Sequence, residues 1–261
     1  MKNVCLIIGA GAGIGGNTAK VFAKEGYHVH LTRRTDEDGL KNMVEEIKQN
    51  GGSASGSLIN VVNENTLEET VVQIEKEIGP IFVSVYNLGA QIGNKKLEVL
   101  TVKQFELGWK MATLGLFRLS KVLFPFMVGR KMGTLIVTSS TAAVRGNEGQ
   151  HSHAAAMGGR RMLCQTLSDE FASKGIHIIH AIIDGAVDAP DTLGKMLGKE
   201  KYEKLREEIG KDKDGLILPE KIAESYLQLT KQHRSAWTHE IDYRAFSDKP
   251  WWNTATQNYN F

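Results

Sequence analysis

The sequence predicts an α/β fold: a doubly wound parallel sheet covered by helices on both faces, in three layers and one domain. Three observations carry this expectation. Short apolar runs alternate six times with segments of helical period. The runs are apolar nearly throughout rather than at every second position, as strands buried on both faces are. The first run opens directly into a glycine-rich turn and a helix.

The 261 residues, 41% hydrophobic and 24% charged, have ordinary globular composition, which excludes disordered, collagen-like and coiled-coil chains. About 250 residues is a common size for one α/β domain, so a single domain is expected over 1–261. Net charge is 32 − 30 = +2 with no run of five like charges. That excludes a nucleic-acid footprint and a polybasic membrane patch, and a small-molecule partner is expected. Two distant cysteines, Cys5 and Cys164, make no disulfide framework and suit a reducing compartment. The opening apolar run is short and breaks into glycines, unlike a secretory signal, and no stretch reaches the roughly 18 apolar residues of a membrane span, so a cytoplasmic location is expected.

Taken in order, the strands are expected at Val4–Ile8, 29–31, 54–59, Ile81–Tyr86, 134–138 and Ile176–Ile183. Between them, Leu40, Met43, Val44 and Ile47 share a helix face, as do Leu67, Val71, Ile74 and Ile78. Residues 109–127 are apolar on more than one face, as a helix covered by both a sheet and a partner would be. Residues 190–215 alternate lysine and glutamate with Leu193, Met196, Leu197, Tyr202 and Leu205, the pattern of an amphipathic helical lid. The tail 237–261 carries Tyr243, Phe246, Trp251, Trp252, Tyr259 and Phe261. Such rings pack at subunit contacts or fold back on their own domain.

The first strand runs into Gly9-Ala10-Gly11-Ala12-Gly13-Ile14-Gly15-Gly16. Glycine permits the tight turn and close backbone approach to a pyrophosphate, which then rests on a helix N-terminus where free N–H groups and the dipole favour anions. Eighteen residues after Gly15 stand Arg33 and Arg34, where a carboxylate would bind a ribose 2′-hydroxyl and arginine accommodates a 2′-phosphate. NADP(H) is therefore expected over NAD(H).

These residues resemble the short-chain dehydrogenase/reductase family over nearly the whole chain. Gly9, Gly13 and Gly15 match its GxxxGxG motif, with Ile8 where threonine is usual. Asn60-Val61 stands where the family has an adenine-contacting Asp-Val, and Tyr86-Asn87-Leu88-Gly89 is similar to its Asn-Asn-Ala-Gly. Asp184-Gly185-Ala186-Val187 is similar to its Pro-Gly-x-Val, whose valine backbone holds the nicotinamide amide. The resemblance implies a Rossmann-type sheet, a hydroxyl–carbonyl oxidoreductase, and a homodimer or homotetramer built on the fifth and sixth helices. It also implies cofactor contacts at Gly9, Ala12, Gly13, Ile14, Gly15, Arg33, Arg34, Asn60, Val61, Asn87, Leu88, Gly89, Met157, Asp184 and Val187.

The family's catalytic asparagine, serine, tyrosine and lysine fall on Ala112, Ser140, His153 and Met157, so only the serine is retained. The changes are chemically coherent. Tyrosine, with a pKa near 10, needs an ammonium neighbour to work near neutrality, whereas histidine, near 6.5, does not. Residues 153 and 157 lie one helical turn apart, so methionine makes the former lysine site apolar. Arg160 is seven residues past His153, about 10 Å along a helix, too far to replace the lysine at the ribose. The candidate catalytic pair is Ser140 and His153. Three readings stay open on the residues: a reductase in which Ser140 polarises a carbonyl and His153 protonates it, a catalytically silent NADP-binding protein, and a non-redox acid–base enzyme using His153 with Asp188.

No metal is expected, because His151 with His153, and His177 with His180, lack a spacing that aims two imidazoles at one ion. His28 and His30 alternate along a strand and are expected to pack. The lid leucines and Met196 suit an apolar pocket and a fairly hydrophobic carbonyl or alcohol substrate, and Ala142, Val144 and Ala186, which the resemblance places at the pocket border, imply the same.

Overall fold

The computed structural model describes residues 2–89 and 93–253. Its centre is a sheet of seven parallel strands in the order β3-β2-β1-β4-β5-β6-β7. The strands are β1 (Val4–Ile8), β2 (His28–Arg33), β3 (Ser53–Leu58), β4 (Ile81–Tyr86), β5 (Gly133–Ser140), β6 (Ile176–Ile183) and β7 (Glu240–Tyr243). The helices are α1 (Ile14–Lys24), α2 (Glu37–Gln49), α3 (Thr66–Gln73), α4 (Val102–Trp109), α5 (Gly115–Gly129), α6 (His151–Phe171), α7 (Lys195–Leu197), α8 (Lys199–Ile209) and α9 (Pro219–Thr230).

β1, β4 and β6 have the expected bounds because every residue of β1 and β6, and nearly all of β4, is buried. The other strands extend or shift where polar residues pair. β2 begins at His28 because His28 and His30 bond across the ladder to Ser53, Ser55 and Ser57 at 2.7–3.0 Å, hydrogen bonding where plain packing was expected. β3 accordingly runs 53–58 rather than 54–59. β5 continues to Ser140 through the pairs Ser139 with Ile182 and Ser140 with Ile183. The unexpected β7 is short and half-buried, and it carries Glu240 and Asp242.

The two faces hold two cores. Phe22 and Ala19 of α1, Leu40 and Ile47 of α2, and Ile222 and Tyr226 of α9 pack against Val29, Val85, Ile136 and Ile179. Leu67 and Val71 of α3, Leu116, Leu119 and Leu123 of α5, and Cys164 of α6 pack against Leu6, Leu135 and Ile178. Each such buried aliphatic side chain contributes about 1.5–3 kcal/mol relative to exposure.

The continuous helical run 102–129, which includes a π-helical turn at Lys110–Leu114, is long and apolar enough to cross a membrane by length and composition. That corrects the expectation that no stretch is. Half of its apolar window is buried inside the protein. Val102, Phe105, Trp109 and Phe117 are exposed along it.

Candidate active site

The order of strands reverses beside β1, whose neighbours are β2 on one side and β4 on the other. In parallel sheets the crevice beyond the carboxyl ends at such a point is where ligands bind. The turn leaving β1 is built for close approach. Gly9 has φ +93°, and a Cβ there would lie 2.9 Å from the Leu88 side chain and 3.2 Å from the Asn87 carbonyl. A Cβ on Gly15 would overlap the Gly9 carbonyl oxygen, and one on Gly13 would lie 2.9 Å from Ala189 Cβ. Asn87 Nδ2 donates to the Gly9 carbonyl at 3.0 Å, tying the end of β4 to the turn. No side chain caps α1 at Gly13, and Ile14 begins that helix half-buried. The backbone cradle and uncapped helix N-terminus fit the phosphates of a dinucleotide.

Arg33, at the end of β2, lies over this turn. Its Nε donates to the Ala10 carbonyl at 2.8 Å and its NH1 pairs with Asp36, which also caps α2 by accepting from Gly39. Arg34 is exposed and forms no ion pair with another described residue. Asn60 is half-buried, its Oδ1 accepting the Val62 N–H at 3.2 Å, and Val61 is buried. Leu88 is half-buried and Gly89 exposed at the mouth of the crevice.

One strand further on, Ser140 Oγ and His153 Nε2 are 3.0 Å apart. Ser140 ends β5, and His153 sits in the first turn of α6, which Ser152 moors to α4 by donating to the Phe105 carbonyl at 3.0 Å. His153 is 9% exposed. Behind it, Met157 and Ala112 close into a small apolar cluster with Ala142 and Ala156, so the positions matching the family's lysine and asparagine share one sealed contact. Ser139 Oγ donates to Met157 Sδ at 3.6 Å. Thr113 Oγ1 donates to the Ala156 carbonyl at 2.8 Å and fastens the π-helical turn to α6.

Arg160 continues that helix face and is entirely buried. Its guanidinium donates to the carbonyls of Ala112 at 3.2 Å, Thr138 at 2.5 Å and Leu88 at 2.6 Å, and lies over the Tyr86 ring. Burial pushes its pKa below the ordinary arginine value. Arg160 therefore joins α6 to the ends of β4 and β5 and to the helical turn bearing Ala112. The spacing from His153 placed it on the right face, but nothing in the sequence named its three acceptors.

After β6 the chain takes up roles that the sequence reading missed. The Asp184 carboxylate accepts from Arg244 NH1 at 3.0 Å and the Trp251 N–H at 2.9 Å, which makes this expected cofactor contact an anchor for the C-terminal segment. Val187 is half-buried and bridges to Ile217. Asp188 is held by the Tyr202 hydroxyl and by Arg206 at 3.2 Å, a structural latch and not a partner of His153. Asp191 reaches back across 179 positions, its Oδ2 accepting the Ala12 N–H at 2.9 Å. Leu193, Tyr202 and Leu216 bury one another beneath α8.

Elsewhere His177 stacks on Trp237, and His180 bonds Glu240 at 2.9 Å. No group of three His, Cys, Asp or Glu suited to a metal ion occurs among the described residues. Tyr243 bonds Ser225, Trp251 is half-buried, and Phe246 and Trp252 are exposed, whereas Tyr259 and Phe261 lie outside the described residues.

Comparison with known proteins agrees with the fold. The family model described as short chain dehydrogenase matches residues 3–197. The chain is 28% identical over 193 residues to the 3-oxoacyl-(acyl-carrier-protein) reductase FabG of Thermotoga maritima, covering 72% of this chain and 76% of that one. It is 30% identical over 202 residues to the uncharacterized oxidoreductase YxbG of Bacillus subtilis, covering 77% and 72%. Among solved structures, a short-chain dehydrogenase from Rhodopseudomonas palustris superposes with a TM-score of 0.77 at 29% identity, over 94% of this chain and 99% of that one. A gluconate 5-dehydrogenase from Burkholderia cenocepacia, in complex with NADP and tartrate, shares the fold with a TM-score of 0.78 at 18% identity, over 93% of each chain. With its sheet, its glycine-rich turn and its Ser140 all in the expected order, this chain belongs to the short-chain dehydrogenase family.

Proposed function

We propose that this protein is an NADP(H)-dependent oxidoreductase that interconverts a small carbonyl compound and its alcohol, with Ser140 and His153 as its catalytic pair. The observation that carries the reading is the 3.0 Å contact between Ser140 Oγ and His153 Nε2 at the end of β5, two strands from β1 and its glycine-rich turn. When bound, the nicotinamide supplies or accepts the hydride. In the reducing direction the Ser140 hydroxyl donates a hydrogen bond to the substrate's carbonyl oxygen. Protonated His153 delivers a proton from Nε2 to that oxygen as it gains charge, directly or through Ser140 Oγ. In the oxidising direction neutral His153 takes the alcohol proton at the same nitrogen.

Gly9, Ala12, Gly13, Ile14 and Gly15 would hold the pyrophosphate, and Arg34, with its exposed guanidinium, the 2′-phosphate, with Arg33 bracing the turn through the Ala10 carbonyl. Asn60 and Val61 would border the adenine, Asn87 to Gly89 the adjoining ribose, and the backbone at Asp184 and Val187 the nicotinamide, whereas Met157, 1% exposed in its apolar cluster, offers the cofactor no surface. Ala142, Val144 and Ala186, at positions that border the pocket in relatives, favour an apolar substrate. The exposed Phe105, Trp109 and Phe117, with Met162 on α6, support a homodimer or homotetramer through α4, α5 and α6. Residues 190–215 act as its lid. Cys5 and Cys164 are free and buried, and burial raises both thiol pKa values, which suits a reducing cytoplasm.

The test is the absorbance of NADPH with a panel of aldehydes, ketones and quinones. Loss of absorbance equal to product formed supports the reading. Product formed with NADPH unchanged would make it a non-redox acid–base enzyme. Tight NADPH binding without turnover of any compound would make it a silent binding protein.

A further inference from the structure

The glycine-rich turn already holds an anion, and it is the protein's own. Asp191 Oδ2 accepts the Ala12 N–H at 2.9 Å, lies 3.7 Å from where a Cβ on Gly11 would stand, and is 3.9 Å from Arg33 NH2. Its other oxygen faces Lys195 Nζ at 3.4 Å. The Ala12 hydrogen bond, ahead of opposing burial and helped by Lys195 and Arg33, holds the Asp191 carboxyl below its ordinary range, so it is ionised at neutral pH.

The segment carrying this carboxylate is pinned on both sides. Ala189 Cβ packs over Gly13, leaving no room for a Cβ there. Pro190 then opens a π-helical turn, Pro190–Gly194, with Asp191 in its first turn. Leu193 is buried against Tyr202 and Leu216, and Asp188, three residues before Asp191, is bonded to Tyr202 and Arg206 of α8. The segment thus meets the turn through the Asp191 carboxylate on the Ala12 N–H and through Ala189 over Gly13, while its own fold holds the carboxylate in place.

We infer that Asp191 is an internal anion competing for the phosphate turn, so that a phosphate-bearing ligand binds only as Asp191 withdraws and this aspartate sets the ligand's affinity. The inference rests on the dinucleotide reading above. A phosphate and a carboxylate cannot share the Ala12 N–H, and two anions at this distance repel in a partly buried site. Affinity is lowered by the fraction of molecules whose turn is free. Coupling cofactor entry to release of residues 190–194 also links cofactor occupancy to the position of α7 and α8, which follow that turn.

The test is calorimetric titration of the full chain and its Asp191→Ala and Asp191→Asn variants with NADPH, inorganic pyrophosphate and adenosine 2′-monophosphate, after thermal unfolding has established that each is folded. Asp191→Ala is expected to bind NADPH and pyrophosphate about tenfold more tightly, as when the turn is free in about one molecule in ten. Asp191→Asn, neutral but of the same shape, is expected to gain part of that increase. Adenosine 2′-monophosphate, which carries no pyrophosphate, is expected to bind all three alike. Equal or weaker NADPH binding by both variants, with the wild type still binding, would overturn the competition and leave the dinucleotide reading standing. If no protein binds NADPH or pyrophosphate, the dinucleotide reading fails and takes this inference with it.

Discussion

Ser140 Oγ and His153 Nε2 meet at 3.0 Å across thirteen positions of sequence because a strand end and a helix start converge on one point. Pairing with β6 carries β5 as far as Ser140, a short 3-10 turn at Thr141–Ala143 reverses the chain, and Gly149 at φ +77° lets it enter α6 two residues later. Behind the pair, Met157 and Ala112 pack with Ala142 and Ala156 into one apolar cluster.

Removing the serine hydroxyl leaves a developing oxyanion without its positioned donor. Ser140→Ala is expected to lower turnover by roughly 100- to 1,000-fold with NADPH affinity retained, read by steady-state rates beside a binding titration. Loss of binding in parallel with rate would assign Ser140 to the cofactor.

Arg33, which ends β2, and Arg34, which follows it, are expected to have separable roles. Arg34→Ala is expected to weaken NADPH by about tenfold or more, the worth of a charge-assisted hydrogen bond, while NADH affinity is unchanged. Arg33→Ala is expected to weaken both nucleotides, because Arg33 braces the turn through the Ala10 carbonyl. Fluorescence titration with each nucleotide distinguishes the patterns, and an Arg34 variant that loses NADH equally would contradict a 2′-phosphate contact.

Two buried histidines make the fold sensitive to acid. Burial, then the neighbouring His28, lowers the His30 pKa to about 4, and burial, opposed by Glu240, lowers that of His180 to about 4. The unfolded chain takes up these protons near pH 6.5, before the folded one does. Stability is therefore complete above about pH 6.5 and falls as pH drops toward 4, by up to roughly 3 kcal/mol per group. Urea unfolding between pH 7 and 4 reads the slope, and His30→Gln is expected to flatten it. An unchanged slope in that variant would assign the acid sensitivity to other groups.

Arg160 is expected to matter for stability before chemistry. Arg160→Met leaves the carbonyls of Ala112, Thr138 and Leu88 without their shared donor and is expected to cost on the order of 3 kcal/mol or more. At about 2–4 °C per kcal/mol for a chain of this size class, the midpoint should fall by roughly 10 °C in a thermal scan. A shift of a degree or less would show that the carbonyls find other partners.

How much of this was legible in the sequence depended on the range of the interactions. β1, β4 and β6 declare themselves through unbroken apolar runs, and the glycine turn through its place between β1 and α1. β7 does not, because Glu240 and Asp242 face the side where Arg161 and His180 satisfy Glu240, and an apolar criterion passes over them. The ends of β2 and β3 depend on imidazole-to-hydroxyl bonds that no hydrophobic pattern records. Spacing and family resemblance single out Ser140 and His153 in the sequence, and the fold brings their side chains within 3.0 Å. The Arg244 and Trp251 partners of Asp184, the Tyr202 partner of Asp188 and the Ala12 partner of Asp191 lie 14 to 179 positions away, and only the folded chain brings them near.

The most direct test of the central claim is the pH profile of NADPH-dependent carbonyl reduction by wild type and His153→Phe side by side, from pH 5 to 9. His153 as the proton donor predicts wild-type turnover that falls as pH rises through a histidine titration, and a phenylalanine variant slower by roughly 100- to 10,000-fold that still binds NADPH. A variant that reduces the same substrates at the wild-type rate, with the same profile, would contradict it.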